Sequence, residues 1–251
     1  MTTIITHSGT FHADESLAVF MLKQLPEYAN AKVIRTRDAE VIKGGSIVVD
    51  VGGVYDPKTS RFDHHQRGFE ETFSKDYNIK LSSAGLVYKH FGKNVLAKLL
   101  NWDLTHPQLE FVYQKIYDEL ILMFDGVDNG VMQYPSETPC AYSDSTCISS
   151  RVARLNPAWN EPTSDDILYQ RFMTAVELAG EELVAKAVAE SPNSFISRKA
   201  LPEPWRGVRD DELSKLTGVD GCIFIHASGF IGGAKTKEAT MKLALMALEY
   251  Q

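Results

Sequence analysis

Cysteine is scarce and unpaired in this sequence. Cys140, Cys147 and Cys222 form an odd set without Cys-X-X-Cys spacing, so a disulfide framework is not expected and a reducing compartment is. Long apolar runs are missing as well: no stretch approaches the ~18 to 20 residues that cross a bilayer. Positive charge is in deficit, with 26 Lys and Arg against 33 Asp and Glu and a net charge of -7. That balance argues against a broadly basic, nucleic-acid-coating surface. It leaves room for a nucleic acid held locally by metal ions and a few basic side chains. The opening Met-Thr-Thr-Ile-Ile-Thr has neither a basic-then-apolar signal pattern nor an Arg-rich leader. The expectation is a soluble intracellular protein with no membrane partner and no clear targeting peptide.

The 251 residues, 44% hydrophobic and 24% charged, suffice for one large or two modest globular domains. Thr2 to Thr6 is a β-branched run ending at His7, and Ala13 to Leu25 has helical spacing stopped by Pro26. Lys32 to Thr36 and Ser46 to Val51 read as further strands, the latter apolar enough to be covered on both faces. This order predicts an α/β fold with an open, mostly parallel sheet flanked by helices. Helices are expected from Ser82 or Ser83 to about His90, over Gln108 to Phe124, Thr146 to Leu155 and Ser164 to Val188. After about Ala189 the segments Ser191 to Ser194 and Leu201 to Trp205 read as a linker. A strand over Gly221 to His226, a Gly-rich loop over Ala227 to Gly233 and a helix from Lys235 to Leu248 follow. The domain boundary is placed between residues 1–189 and 190–251.

Four of the seven histidines stand with aspartates at strand ends. His7, His12 and Asp14 surround the Ser8-Gly9-Thr10 turn, which can bring imidazole and carboxylate within metal-bonding range. The plainer reading is that His12, Asp14 and Glu15 only decorate a helix N-terminus. Asp50, at the end of an apolar strand, suits a carboxylate shared by two cations, or else an ordinary turn before Gly52-Gly53. In Asp63-His64-His65, adjacent histidines on extended chain point to opposite sides, one toward metal and one toward substrate. Asp63 is placed to orient one imidazole through its second nitrogen. Asp125 or Asp128 completes the set, with Asp128 preferred. Imidazoles mixed with carboxylates suit a pair of divalent cations acting on phosphate esters.

In the C-terminal region His226, Ser228, Gly229, Gly232, Gly233 and Lys235 are expected to bind a substrate phosphate, with Arg206 and Arg209 as further partners. A tight turn between strand and helix is the plainer account of those glycines. Cys140 and Cys147 are expected to be small buried hydrophobes, and His90 and His106 surface or core histidines.

The strings Thr6-His7-Ser8-Gly9-Thr10-Phe11-His12-Ala13-Asp14-Glu15, Asp50-Val51-Gly52-Gly53-Val54-Tyr55-Asp56, Arg61-Phe62-Asp63-His64-His65-Gln66 and His226 to Gly233 resemble the melanocyte-proliferating-gene-1 family. That family, also called the metal-dependent protein hydrolase family, belongs to the Asp-His-His (DHH) phosphoesterase superfamily. The resemblance implies a parallel-sheet phosphoesterase domain, a smaller C-terminal domain closing over substrate, and two Mn²⁺ or Mg²⁺ ions between them. It also implies 3′–5′ exonuclease activity on RNA, with roles in nucleus and mitochondrion; a place in the cytoplasm is the other expectation. In the superfamily's pattern His7, His12, Asp14, Asp50, His64 and Asp128 or Asp125 fall on metal-ligand positions, and His65 lies near the reacting phosphate. One departure stands out: Glu182 to Glu190 directly joins two regions that a long, strand-bearing stretch separates in family members. The C-terminal α+β domain is therefore expected to be shortened.

The leading expectation is a two-metal phosphodiester hydrolase acting on single-stranded RNA or a short oligonucleotide. In it Asp50 holds the attacking water and His65 stabilises the transition-state charge or protonates the leaving oxygen. A nucleotide phosphatase is the second reading, and a non-catalytic remnant with a trimmed C-terminal domain the third.

Overall fold

A computed structural model describes residues 1–134, 145–188, 201–229 and 231–250. The chain divides into two compact units, Met1–Ala187 and Val188–Gln251. In the first, the N-terminal β-branched run forms β1 (Thr3–Thr6), followed by α1 (Ala13–Lys23) and β2 (Lys32–Arg35). A short α2 (Ala39–Lys43), which the hydrophobic pattern does not signal, begins where the Asp38 carboxylate accepts the Glu40 and Val41 N–H groups at 2.9 and 3.3 Å. Next come β3 (Ile47–Val49), β4 (Tyr55–Asp56) and β5 (Arg61–Phe62). The third strand is shorter than Ser46 to Val51 because Asp50 leaves the extended conformation.

The sheet runs β2-β1-β3-β5-β4, parallel except for the edge pair β4–β5. The expected mostly parallel α/β sheet is what the chain forms. Its order reverses at β1, with β2 on one side and β3 on the other. Loops leaving the C-terminal ends of β1 and β3 therefore diverge, and ligands of such sheets bind in the crevice between them. Alternation along β1 sends Ile4 to one face and Ile5 to the other. Ile4, Ile47 and Val49 join Leu17 and Met21 of α1 and Leu86 of α3 (Ser83–Leu100) in the main core. The opposite face buries only Ile5, Val48 and Val51, with Ile34 and Ile42 beside them.

Helix α3 continues past the expected end near His90. Gly92 does not stop it: the absent Cβ lets the Tyr88 and Tyr113 rings stack at 5.0 Å. The helix ends at Asn101, which takes φ +54°. The single helix expected over Gln108 to Phe124 is instead α4 (Leu109–Ile116), a π-helical turn (Tyr117–Ile121) and α5 (Leu122–Asp128). The π-helical turn interrupts the regular α-helical hydrogen bonding between α4 and α5. Then come α6 (Ile148–Ala153) and α7 (Asp165–Val188). Cys147, expected to be buried, is exposed at the start of α6, its Sγ 3.2 Å from Ser150 Oγ. Cys140 and the Ser191 to Ser194 segment lie outside the described residues.

The second unit holds a 3₁₀ turn (Glu203–Trp205), α8 (Asp210–Thr217), the antiparallel pair β6 (Cys222–Ile225) and β7 (Gly232–Ala234), and α9 (Lys237–Glu249). Trp205, Leu213, Cys222, Ile225 and Leu243 form its own small core. Two expectations need correcting here. Gly232 and Gly233 belong to a strand and not to the loop, since a Cβ on Gly232 would overlap the Ile225 side chain across the pair. The last helix starts at Lys237 and not at Lys235, because Thr236 Oγ1 accepts the Ala239 N–H at 3.1 Å. Among the described residues no helix is long and apolar enough to cross a membrane.

Helix α7 meets α1 at Gly180, where any Cβ would overlap the Phe20 ring. Gly180→Val should therefore lower stability by about 1–3 kcal/mol, since overpacking outweighs the few tenths gained in helix propensity. Urea titration should show a lower midpoint at unchanged slope.

Candidate metal centre

The turn after β1 is held from three directions. Gly9 takes φ +96°, Arg35 Nη2 donates to the Gly9 carbonyl at 2.6 Å, and Arg37 Nε donates to the Ser8 carbonyl at 3.2 Å. Asn156 brackets Phe11, accepting its N–H at 3.0 Å and donating to its carbonyl at 2.9 Å. The Arg35 guanidinium also lies over the Phe11 and Phe172 rings, 5.3 and 4.7 Å from their centroids. So fixed, the turn folds His7 back on the start of α1. His7 Nε2 lies 2.9 Å from Glu15 Oε1, and the His7 and His12 rings are 5.7 Å apart. Glu15 meanwhile accepts the His12 N–H at 2.9 and 3.1 Å.

Asp50 follows β3 in the left-handed region at φ +56°, with Gly52 and Gly53 also at positive φ. Aspartate tolerates that region better than most residues, and such backbone persists where the surroundings enforce it. The carboxylate consequently stands over the ends of β1 and β5. Oδ2 is 3.3 Å from His7 Nε2; Oδ1 is 3.5 Å from His64 Nε2, 3.4 Å from His65 Nδ1 and 3.2 Å from Ser83 Oγ, which donates to it.

The histidine pair does not split to opposite sides. Residues 63–65 lie beyond β5 in irregular backbone, so strand alternation does not apply, and the two rings sit 4.3 Å apart. His64 is buried and His65 is 62% exposed at its side chain. Asp63 Oδ1 accepts His65 Nδ1–H at 2.7 Å and Oδ2 accepts the Gly53 N–H at 2.6 Å. This fixes the ring and leaves His65 Nε2 to face the cleft.

Asp14 and Asp125 are buried and have different surroundings. Asp14 accepts the Ser83 and Ala84 N–H groups at 3.0 and 2.6 Å, capping α3, and still lies with His64 and Asp128. Asp125 Oδ1 accepts from Ser82 N and Oγ, both at 2.8 Å, and Oδ2 from the Tyr117 hydroxyl at 2.8 Å. It joins none of the ligand groups, whereas Asp128 Oδ2 is 3.0 Å from His64 Nε2.

Potential ligand atoms gather in three overlapping sets: His7, His12, Glu15 and Asp50; Asp50, His64 and His65; Asp14, His64 and Asp128. Asp50 links the first two and His64 the last two. All of them except Glu15 and His64 line a cleft of about 610 Å³, whose walls include Phe11, Arg37 and Phe124. Burial lowers the imidazole pKa of His7, but contacts with Asp50 and Glu15 outweigh it and raise the value to about 10. The same contest, with Asp128 and Asp50 as partners, brings His64 to about 10. Burial pushes Asp50 up, and the neighbouring His64 and His7 imidazoles more than reverse this. Burial, with Asp128 and Asp50 nearby, holds Asp14 well above the ordinary range, and burial lifts Asp125 to about 7.

One atom tests whether cations fit. His64 Nε2 is buried, and although two carboxylates lie within 3.5 Å, it makes a hydrogen bond to neither. Distance is satisfied and alignment is not. A buried imidazole nitrogen set between two carboxylates and aligned with neither suits a metal ligand once its proton is displaced, and the imidazole and carboxylate donors suit divalent cations.

The remaining expected residues belong to the second unit. His226 Nδ1 and Ser228 Oγ are 2.8 Å apart on exposed chain. Gly229, at φ +74°, packs on Arg206, whose Nε is bound to the Leu201 carbonyl at 2.8 Å. Arg209 and Lys235 are exposed. Sequence reasoning missed Glu15 as a neighbour of His7, Ser83 on Asp50, and the Arg37 and Asn156 clamps. For Glu15 the signal was its place in the first string; for Asn156 there was none.

The profile of a family described as "Uncharacterised protein family (UPF0160)", labelled MYG1 exonuclease, matches residues 3–187 and 185–248. The MYG1 protein of Dictyostelium discoideum is 39% identical over 318 aligned positions, covering 98% of this chain and 96% of that protein. The proteins named MYG1 exonuclease from Mus musculus and Homo sapiens are each 38% identical over 315 positions, covering 95% of this chain and 83% and 84% of theirs. The aligned lengths exceed the 251 residues here, so a stretch of each relative has no counterpart, and the profile match breaks at residues 185–187. No solved structure matches the chain. The chain belongs to the MYG1 family.

Proposed function

We propose that this protein is a divalent-metal-dependent phosphodiester hydrolase, a 3′–5′ exonuclease whose substrate is single-stranded RNA. The observation that carries the reading is the meeting of three ligand sets at Asp50 and His64, with His64 Nε2 buried and unbonded. The name exonuclease borne by the mouse and human relatives supports the reaction class. RNA as substrate and the direction of cutting follow from the resemblance to the DHH phosphoesterases.

His7, His12, Asp14, Asp50, His64 and Asp128 would hold two cations, Mn²⁺ or Mg²⁺. Such ions polarise a phosphoryl oxygen and lower the pKa of water. The chain's own residues do the rest. Asp50 contributes to two ligand sets and fixes their separation. His65, with Nδ1–H given to Asp63, presents Nε2 at the cleft, where a protonated imidazole can donate to the leaving oxygen. Its bond to Asp63 raises the His65 pKa, which favours the proton-carrying form at neutral pH. In the second unit the exposed His226, Ser228, Arg209 and Lys235 are assigned to substrate phosphates.

Asp50→Asn should reduce Mn²⁺-dependent hydrolysis of end-labelled single-stranded RNA by roughly a thousandfold or more, with the circular dichroism spectrum unchanged. Turnover near wild type would remove Asp50 from the reaction. Products confined to mononucleotide or dinucleotide substrates would favour a phosphatase, and Mn²⁺ binding without any product a non-catalytic protein.

A second outcome concerns pH. Folded-state values near 10 for His7 and His64 lie above the ordinary 6.5. Their stabilisation is complete below pH 6.5 and is lost as pH rises toward 10. In chelator, the melting temperature should fall across that window. Metal binding displaces those protons, so Mn²⁺ affinity should rise with pH, by about tenfold per unit for each proton released. Thermal melts and metal titrations across the window read both; a flat Mn²⁺ affinity would count against imidazole ligation.

A further inference from the structure

We infer that the groove lined by Arg37, Ile42, Lys43, Val51, Val54 and Arg61 holds the nucleotide next to the scissile phosphate of a single-stranded nucleic acid. The inference rests on the proposed hydrolase reading and names a substrate subsite for it. The groove encloses about 600 Å³ within the first unit, on the sparsely covered face of the sheet. It shares the walls Arg37, Val51 and Gly52 with the cleft of the metal centre. A strand whose terminal phosphate reaches Asp50 can therefore continue past Gly52 into it.

The chemistry of the lining selects the occupant. Ile42, Val51 and Val54 give an apolar surface of the kind a base covers, and Arg37, Lys43 and Arg61 stand around it. Among the described residues no Asp or Glu lines the groove, although acids outnumber bases in the chain by 33 to 26. None of the three cations forms an ion pair among the described residues. Two carboxylates on adjoining segments are engaged by other groups: Asp38 caps α2, and Asp56 accepts from the Thr59 hydroxyl at 2.8 Å. Arg61 is pinned by the carbonyls of Thr59, Ser60 and Lys43 at 2.9, 3.2 and 3.0 Å, so it is a fixed positive wall. Lys43 is exposed at the end of α2 and free to pair with a phosphate. A concavity of this size, apolar with convergent cations, fits one nucleotide.

The test compares wild type, Lys43→Glu and Lys43→Gln in the full chain on two substrates. One is a single-stranded RNA 12-mer, the other bis(p-nitrophenyl) phosphate, which carries no second phosphate for Lys43 to meet. With Lys43→Glu, the ratio of kcat/KM on the 12-mer to kcat/KM on the small diester should fall about tenfold, mainly through KM for the 12-mer. With Lys43→Gln, the slope of log affinity against log salt for the 12-mer should lessen by about 0.7. An unchanged ratio and slope overturn the groove while leaving the hydrolase standing. If wild type cleaves neither substrate, the hydrolase reading falls by itself. The groove is then judged by fluorescence anisotropy of the labelled 12-mer, where undiminished binding by Lys43→Glu overturns it.

Discussion

A buried carboxylate between imidazoles is the constraint around which the first unit is organised. Asp50 sits in the interior with His7 and His64 against it. Isolated, any of these charges would be costly to bury, because desolvation penalises the ionised form. Together they offset one another, which is why the imidazoles keep their protons and Asp50 its charge. The compensation works only while strand ends from separate parts of the chain keep their register. The parallel pairing of β1 with β3 and of β3 with β5 supplies that register, and the left-handed turn at Asp50 aims the carboxylate.

A second layer of polar side chains fixes the first. Asp14 holds the N-terminus of α3, and Ser83 at that terminus donates to Asp50. Asp125 draws Ser82 and Tyr117 together. The start of α3 is thus bound to α1 on one side and α5 on the other. Gly85 belongs to the same arrangement, since a Cβ there would overlap the Asp125 carboxylate. These residues hold the clustered imidazoles and carboxylates in place, and of them Asp14 alone belongs to one of the three groups.

Much of this was legible in the amino-acid order. Short β-branched and apolar runs ending at His7 and Asp50 reveal parallel strands and their C-terminal ends, where ligands gather. The Asp63-His64-His65 string marks a third contributor. Other features depend on tertiary contact and leave little local trace. The continuation of α3 through Gly92 depends on two tyrosine rings that close over the glycine. The convergence of His64 and His65 depends on irregular backbone after β5, where period-two alternation no longer holds. Asp128 and not Asp125 meets His64, and nothing in the spacing of the two aspartates discloses it. The role of Asn156 joins residues far apart in the chain.

The break in family similarity at residues 185–187 falls after the three groups of imidazoles and carboxylates found among the described residues, which lie between His7 and Asp128. Chemistry and the length of the chain that follows it are therefore written in separate stretches of the polypeptide. Selection on the later stretch can lengthen or shorten it among descendants without altering the clustered imidazoles and carboxylates.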